Sequence, residues 1–199
     1  MNFLLLAAAF AAWGVVHSLL ASLGCKDLLH RILGDELMRM YRLAYNIFSL
    51  VSLLPVAWLM WILPDRTLYR VPEPWAYLML GGQGVAAGLL LYGVLQTDTL
   101  SFVGLRQLAG PEPRTGALVT GGLYRFVRHP LYSAGLLFLW LTPAMTVNAL
   151  VVYVAATLYI FAGAYFEERK LLREYGAVYA AYRSVTPMIV PGLRLARRR

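Results

Sequence analysis

Cysteine occurs once in these 199 residues, at Cys25. An intramolecular disulfide is therefore excluded, and so is a C-x-x-C metal or redox site. Charge is also scarce. Asp, Glu, Lys and Arg make up 14% of the chain and hydrophobic residues 60%, where a soluble domain carries about 25% and about 45–50%. Acidic residues are the scarcer kind, 10 against 18 Lys and Arg. The sequence shows no internal repeat and no low-complexity tract, and no polar stretch large enough for a separate soluble domain. No strand pattern precedes Gly81, Gly82, Gly84 and Gly88, so these glycines are not a dinucleotide fingerprint. Gly84 and Gly88 instead read as a small-xxx-small pair for close helix approach.

Long uncharged runs are what the chain has in abundance. Residues 3–23, 43–63 and 75–96 each hold enough apolar residues to cross a bilayer. Residues 131–166 hold no charge at all, and that is too long for one span of about 20 residues. Pro143 and Asn148 interrupt this run, which predicts a tight hairpin turning over 142–148. The expectation is an all-α integral membrane protein with five transmembrane helices, the last two forming a C-terminal hairpin. Residues 1–199 then form a single membrane domain, with helices 1–3 in 1–97 and the second half in 98–199. Residues 1–23 lack the basic start of a signal peptide, so they read as a retained helix. A polar loop is expected between the first helix and residue 40. The three prolines of 64–74 predict a short connection, and 98–124 a longer loop folded over the site.

All but Arg66 and Arg70 of the 18 Lys and Arg fall on one side of this arrangement. The positive-inside rule places that side in the cytoplasm and the N-terminus outside. The same rule accounts for the net charge of +8 without a nucleic-acid partner. The terminal RLARRR, 194–199 with Leu193 before it, reads as an anionic-lipid contact or a tail.

The chemistry-bearing residues flank the hairpin. GGLYRFVRHPLYSAG precedes it and YFEERKLLREYGAVYAAYR follows it. A hairpin returns the chain to the side it left, so Arg128, His129 and Tyr132 come near Glu167 and Glu168. Convergent ionisable groups at a membrane boundary are costly to hold and point to a site. Taken singly, each has a plainer reading. Glu167, Glu168, Arg169 and Lys170 can mark a helix end, Arg125 and Arg128 can anchor the topology, and Tyr153, Tyr159 and Tyr165 can be core aromatics. The ordered combination around one hairpin favours the site. Glu168, Tyr175, Tyr179 and Tyr182 recur at helical spacing, but an unbroken helix would spread them over about 21 Å. Gly176 is the expected break that folds the last tyrosines back.

This segment resembles the isoprenylcysteine carboxyl methyltransferase and phospholipid methyltransferase superfamily of membrane enzymes. The family pattern is Arg-His-Pro-x-Tyr, a helical hairpin, Glu-Glu, then a Gly and spaced tyrosines. It stands here as Arg128, His129, Pro130 and Tyr132, then Glu167 and Glu168, then Gly176, Tyr179 and Tyr182. The resemblance covers roughly the last ninety residues and implies S-adenosylmethionine-dependent methyl transfer in a bacterial inner membrane. The cofactor-binding residues it implies are Gln107, Gly122, Leu123, Tyr124, Arg128, His129, Pro130, Tyr132, Glu167, Glu168, Tyr179 and Tyr182, in a cytoplasmic site covered by the C-terminal segment. The glutamates suit the cofactor's ammonium, Arg128, His129 and Tyr132 its carboxylate, and the tyrosines its ring or sulfonium.

HSLLASLGCK, YRLAYNIFSL, GLRQL, LTPAMTVNAL and VTPMIVP look like the methanethiol S-methyltransferase branch. That resemblance implies a small thiol acceptor. Isoprenylcysteine carboxyl and phospholipid N-methylation are the lipophilic alternatives, and a non-enzymatic membrane transport or assembly protein is the third. A thiol must lose its proton to react, and His17 in the otherwise apolar first helix is the candidate base or orienting group. A packing histidine is its plainer reading. Arg42, opening the second helix beside Tyr41, is either a second acceptor-side residue or a topology anchor. No metal is implied. The partners expected are membrane lipid and the acceptor, with the Gly-rich third helix offering a dimer contact.

Overall fold

A computed structural model describes residues 2–109 and 118–193. Part of the loop expected over the site, residues 110–117, and the basic tail at 194–199 lie outside the described residues. Among the described residues, four helices are long and apolar enough to cross a membrane: Asn2–Ala21, Leu23–Ile62, Trp75–Gln96 and Val147–Val185. Their large apolar side chains face outward, among them Val15, Leu19, Trp61, Leu78, Leu91 and Leu158. Outward apolar surface on long helices is what lipid contact requires, and the chain is an integral membrane protein. The chain divides into two compact units, one of Met1–Tyr69, Asp98–Arg114 and Met145–Ala155, the other of Arg70–Thr97, Thr115–Ala144 and Ala156–Arg199.

In the first unit, α1 (Asn2–Ala21) and α2 (Leu23–Val51) run antiparallel. Trp13 donates to Ser52 Oγ at 3.1 Å, the Tyr45 hydroxyl meets His17 Nε2 at 2.7 Å, and Tyr41 donates to the Leu20 carbonyl at 2.6 Å. Ser22 makes the corner between the helices. Its backbone is extended and its hydroxyl accepts from the Cys25 N–H, the arrangement of an N-cap. The polar loop expected before residue 40 is instead helical, broken only at Gly34 (φ 71°). Apolar residues recur there at helical spacing, and the Ser22 cap supplies the start signal. The second expected span continues as α3 (Leu54–Ile62) after a turn at Ser52–Leu53, with Pro55 in its first turn.

The 64–74 connection is not simply a loop. It holds β1 (Thr67–Arg70), which pairs with β2 (Ala144–Thr146). Here Asn148, 1% exposed, donates to the Met60 and Leu63 carbonyls at 3.3 and 3.2 Å. Asp65 Oδ1 accepts from the Asn148 N–H at 3.0 Å. The turn residue picked out in the sequence therefore ties the end of α3 to the start of α8 (Val147–Val185). Asn148→Leu removes both side-chain bonds and strands two carbonyls. It should cost about 2–3 kcal/mol, read as a lower thermal midpoint in detergent.

In the second unit, α4 (Trp75–Gln96) packs antiparallel on α7 (Pro130–Trp140). Gln83 donates to the Phe138 carbonyl at 2.9 Å. The close approaches fall at Gly82 and Gly93, where an added Cβ would sit 2.6 Å from Leu141 and 2.8 Å from Leu131. The expected pair Gly84 and Gly88 meets nothing within 4 Å. The glycine pattern was legible, but not which side of α4 receives its partner.

The predicted hairpin is present, with unequal limbs. Its first limb, α7, has 11 residues, about 16 Å of helix, and its second, α8 (Val147–Val185), has 39. Trp140 donates to Thr157 Oγ1 at 3.0 Å and Tyr132 to Glu167 Oε2 at 2.9 Å. These two bonds fix the antiparallel register that brings the hairpin's ends together.

Candidate active site

The site lies in the second unit, at the open end of the hairpin. His129 is the N-cap residue of α7 and Pro130 occupies the first turn, where its missing N–H is no loss. The preceding backbone is held by the C-terminal segment. The Arg128 N–H donates to the Pro187 carbonyl at 2.9 Å and the His129 N–H to Met188 at 3.0 Å. The Ser133 hydroxyl bridges the His129 and Ile189 carbonyls.

Glu168 is the centre of the cluster. It is 3% exposed, accepts hydrogen bonds from three side chains and forms an ion pair with a fourth. Arg128 grips it in bidentate fashion, Nε to Oε1 at 2.6 Å and Nη2 to Oε2 at 3.0 Å. His129 Nε2 stands 3.1 Å from Oε1, the Tyr179 hydroxyl donates to Oε1 at 2.7 Å, and Arg183 Nε lies 3.0 Å from Oε2. The free Nη1 of Arg128 turns to the Arg183 and Thr186 carbonyls.

Gly176 makes this closure possible. Its φ of 54° and ψ of −125° break α8, a conformation open to glycine and strained for other residues. The break folds Tyr179, Tyr182 and Arg183 back onto the hairpin end, and the Tyr182 hydroxyl donates to the Tyr124 carbonyl at 2.5 Å.

Charge follows from these contacts. Glu168 lies past the charge-free run that ends at Phe166. Burial raises its pKa, but hydrogen bonds from His129, Arg128 and Tyr179 outweigh burial and hold it near 2. Burial, reinforced by Glu168, drives the Tyr179 hydroxyl far above its ordinary value. Burial takes Tyr182 up to about 12, so both tyrosines stay protonated donors. Glu167 is different. Its side chain is 44% exposed, the Tyr132 hydroxyl donates to Oε2 at 2.9 Å, and His129 Nδ1 lies 3.5 Å from the same oxygen. Tyr132 stacks on the His129 ring at 5.3 Å. The two glutamates thus divide: Glu168 is saturated and organises the cluster, while Glu167 presents a carboxylate outward, beside an aromatic ring.

Gly122, Leu123 and Tyr124 form a 3₁₀ turn, Gly122–Arg125, ahead of the cluster. A residue missed in the sequence holds that turn. Gln96, ending α4, accepts the Leu123 N–H on Oε1 at 3.1 Å. Gly122, at φ 59°, presses so close that an added Cβ would fall 1.6 Å from Gln96 Nε2. The signal available was a polar residue closing an otherwise apolar span. Arg183 was also missed as a site residue, although its place one residue after Tyr182 put it on the same turn. Tyr179 differs from its expected role, because its hydroxyl is spent on Glu168 and its ring is buried.

His17, Arg42 and Gln107 belong to the first unit. His17 lies between the rings of Trp13 and Tyr45, at 4.9 and 5.0 Å. Arg42 is exposed on α2. Gln107, on α6 (Arg106–Ala109), donates to the Ser101 carbonyl of the short helix α5 (Thr99–Val103) at 3.2 Å.

A family model described as phospholipid methyltransferase matches residues 83–178, which include both flanks of the hairpin. Methanethiol S-methyltransferase 2 of Bradyrhizobium diazoefficiens is 36% identical over 162 residues, 79% of this chain and 62% of its own. Methanethiol S-methyltransferase of Mycobacterium tuberculosis is 30% identical over 185 residues, 90% of this chain and 74% of its own. The chain belongs to the phospholipid methyltransferase superfamily, in its methanethiol S-methyltransferase branch. A second Bradyrhizobium diazoefficiens relative, methanethiol S-methyltransferase 1, is 31% identical over 196 residues, 96% of this chain. The chain spans 60% to 66% of the length of the first three such relatives. No solved structure matches it.

Within this family frame Gln96 is a positioning residue for the turn before the Arg-His pair. Gln96→Leu loses the acceptor for the Leu123 N–H, worth about 1 kcal/mol. Cofactor affinity should fall about fivefold to tenfold, measured by equilibrium binding in lipid. Gln96→Glu keeps an acceptor oxygen and should retain most of that affinity.

Proposed function

We propose that this chain is an S-adenosylmethionine-dependent membrane methyltransferase whose acceptor is a small thiol. The observation that carries the reading is the division of labour between adjacent carboxylates. Glu168 locks Arg128, His129, Tyr179 and Arg183 together, and Glu167 is left facing outward beside Tyr132.

These residues fit the cofactor. Glu167 with the Tyr132 hydroxyl suits its ammonium, and the guanidinium of Arg183, 35% exposed, suits its carboxylate. The ring of Tyr124 offers a face for the adenine or the sulfonium. When bound, the cofactor supplies a methyl group already activated on a sulfonium. The protein's own task is then to hold groups in line and exclude water. Glu168 contributes by fixing the donors around it rather than by touching the cofactor. His17, paired with Tyr45, is our candidate for taking the thiol proton. Arg42 and Gln107 remain assigned to the acceptor side and the cofactor respectively.

We read the chain as one membrane methyltransferase domain, with α7 as a fifth, shorter membrane-embedded helix. The N-terminus lies outside and the Arg128–Glu168 cluster faces the cytoplasm of a bacterial inner membrane. The excess of Lys and Arg on that side supports this orientation, and cytosolic supply of the cofactor agrees with it.

The branch supports the thiol, since the relatives named above are methanethiol S-methyltransferases. The phospholipid methyltransferase match favours a lipophilic acceptor as the second reading. Purified protein in lipid, given S-adenosylmethionine with a labelled methyl group, distinguishes them. Methanethiol, an isoprenylated cysteine and phosphatidylethanolamine are offered side by side. We expect labelled volatile sulfide. Label found only in the prenyl ester or the lipid would replace the thiol reading, and no labelled product with any acceptor would overturn both.

A further inference from the structure

Residues 23–40 are not used by the methyl-transfer reading. They leave α1 at the Ser22 corner and come back at Tyr41, whose hydroxyl reaches the Leu20 carbonyl. Between those points the chain is helical on both sides of Gly34, and His30 Nε2 spans that break to Asp35 Oδ1 at 2.6 Å. α2 has no buried residue.

The first half of the excursion is amphipathic. Cys25, Leu28, Leu29, Ile32 and Leu33 fall on one face, and Lys26, Asp27, His30 and Arg31 on the other, by helical spacing. Much of the apolar face is uncovered: Leu28 and Leu33 are exposed and Ile32 is 68% exposed, with Cys25 and Leu29 half-buried. After Gly34, Leu37 and Met40 are exposed too. On α1, just before the Ser22 corner, Val15, Val16 and Leu19 are exposed apolar residues as well. α1 is a candidate membrane span, so the apolar phase next to its end is the edge of the bilayer.

Charge in the excursion is balanced. Lys26, Arg31 and Arg39 stand against Asp27, Asp35 and Glu36, and Glu36 lies 3.6 Å from Arg39. A polybasic patch that seeks anionic headgroups has no such balance. Apolar burial is the remaining driving force, and a helix of this kind lies in the interface plane.

We propose that residues 23–40 form a lipid-contact surface that lies flat at the membrane boundary, with Leu28, Ile32 and Leu33 turned into the acyl region. Its partner is the bilayer itself, whatever the headgroup charge.

Site-directed spin labelling tests this on the full chain. In a Cys25→Ser background, single cysteines replace Leu28, Ile32 or Asp27 and carry a nitroxide. The protein is reconstituted in phosphatidylcholine vesicles, with and without added phosphatidylglycerol. At positions 28 and 32, relaxation by lipid-soluble oxygen should exceed relaxation by an aqueous nickel chelate. At position 27 the preference should reverse, which also reports that the helix is folded. Neither pattern should change with phosphatidylglycerol. Nickel dominance at 28 and 32 would place the face in water and overturn the proposal. Loss of access to both reagents with spin–spin broadening would assign the face to a second copy of the chain. Oxygen contact that appears only with phosphatidylglycerol would replace apolar burial by charge attraction.

Discussion

Glu168→Gln should lower cofactor affinity by about a hundredfold or more, the largest single-residue loss in the second unit. The carboxylate meets two guanidinium groups, an imidazole and a phenol within hydrogen-bonding distance, and its side chain is 4% exposed. A neutral amide leaves Arg128 and Arg183 without their buried counter-charge. Breaking such a pair from one side costs about 3–5 kcal/mol, and two to three kcal/mol expressed in binding is already about a hundredfold. Radioligand binding in lipid reads the affinity, and thermal unfolding reads the share lost from the fold. Glu174→Gln, an exposed neighbour on the same helix, should change neither. The pH dependence has a fixed sign. Glu168 titrates near 2 when folded, against 4.5 for the ordinary carboxyl. Its contribution is therefore complete above about pH 4.5 and disappears as pH falls from there towards 2. Acid loss of folding stability within that window, with none from this group near neutrality, is the expected profile.

Gly176→Val should have the second-largest effect, and for a different reason. An added Cβ at residue 176 meets no atom within 4 Å, so no clash is involved. The obstacle is φ 54° with ψ −125°, which a β-branched residue adopts only at a cost of about 1–3 kcal/mol. The chain relieves that strain by running on as helix, which carries Tyr179 and Arg183 away from Glu168. Cofactor binding should fall at least tenfold while the total helix signal in circular dichroism holds or rises. Gly163→Ala in the same helix, also free of neighbours and at no positive φ, should leave binding at the parental level. Equal binding by both variants would remove the fold-back from the account.

Much of this was legible because bilayer physics is coarse. Charge-free runs mark spans, and a run as long as 131–166 with Pro143 and Asn148 inside it has to turn. The meeting of Arg128 and His129 with the glutamates then follows from the hairpin alone. Other features depend on which face meets which. Sequence spacing favoured Gly84 and Gly88, yet α7 lies against Gly82 and Gly93, because helix glycines of similar spacing occupy different faces. The different fates of Glu167 and Glu168 were hidden for a similar reason. Adjacent residues on a helix point about 100° apart, and only the fold-back at Gly176 decides which carboxylate is enclosed. The carbonyls of Pro187 and Met188, which hold Arg128 and His129, are backbone groups with no side-chain signature. Residues 23–40 read as a polar loop because their charges and Gly34 outweighed a helical period short enough to overlook.

We propose that the hairpin-end cluster holds S-adenosylmethionine through Glu167. Equilibrium binding of the labelled cofactor to the reconstituted protein, wild type beside Glu167→Gln, tests it most directly. Glu167 is half-exposed and outside the buried core of the cluster, so its replacement leaves Glu168 and its partners in place. Saturable binding by the wild type and a loss of at least tenfold in the variant, with an unchanged thermal midpoint, is the expected result. Equal affinity in the two proteins, or no binding by the wild type, would contradict it.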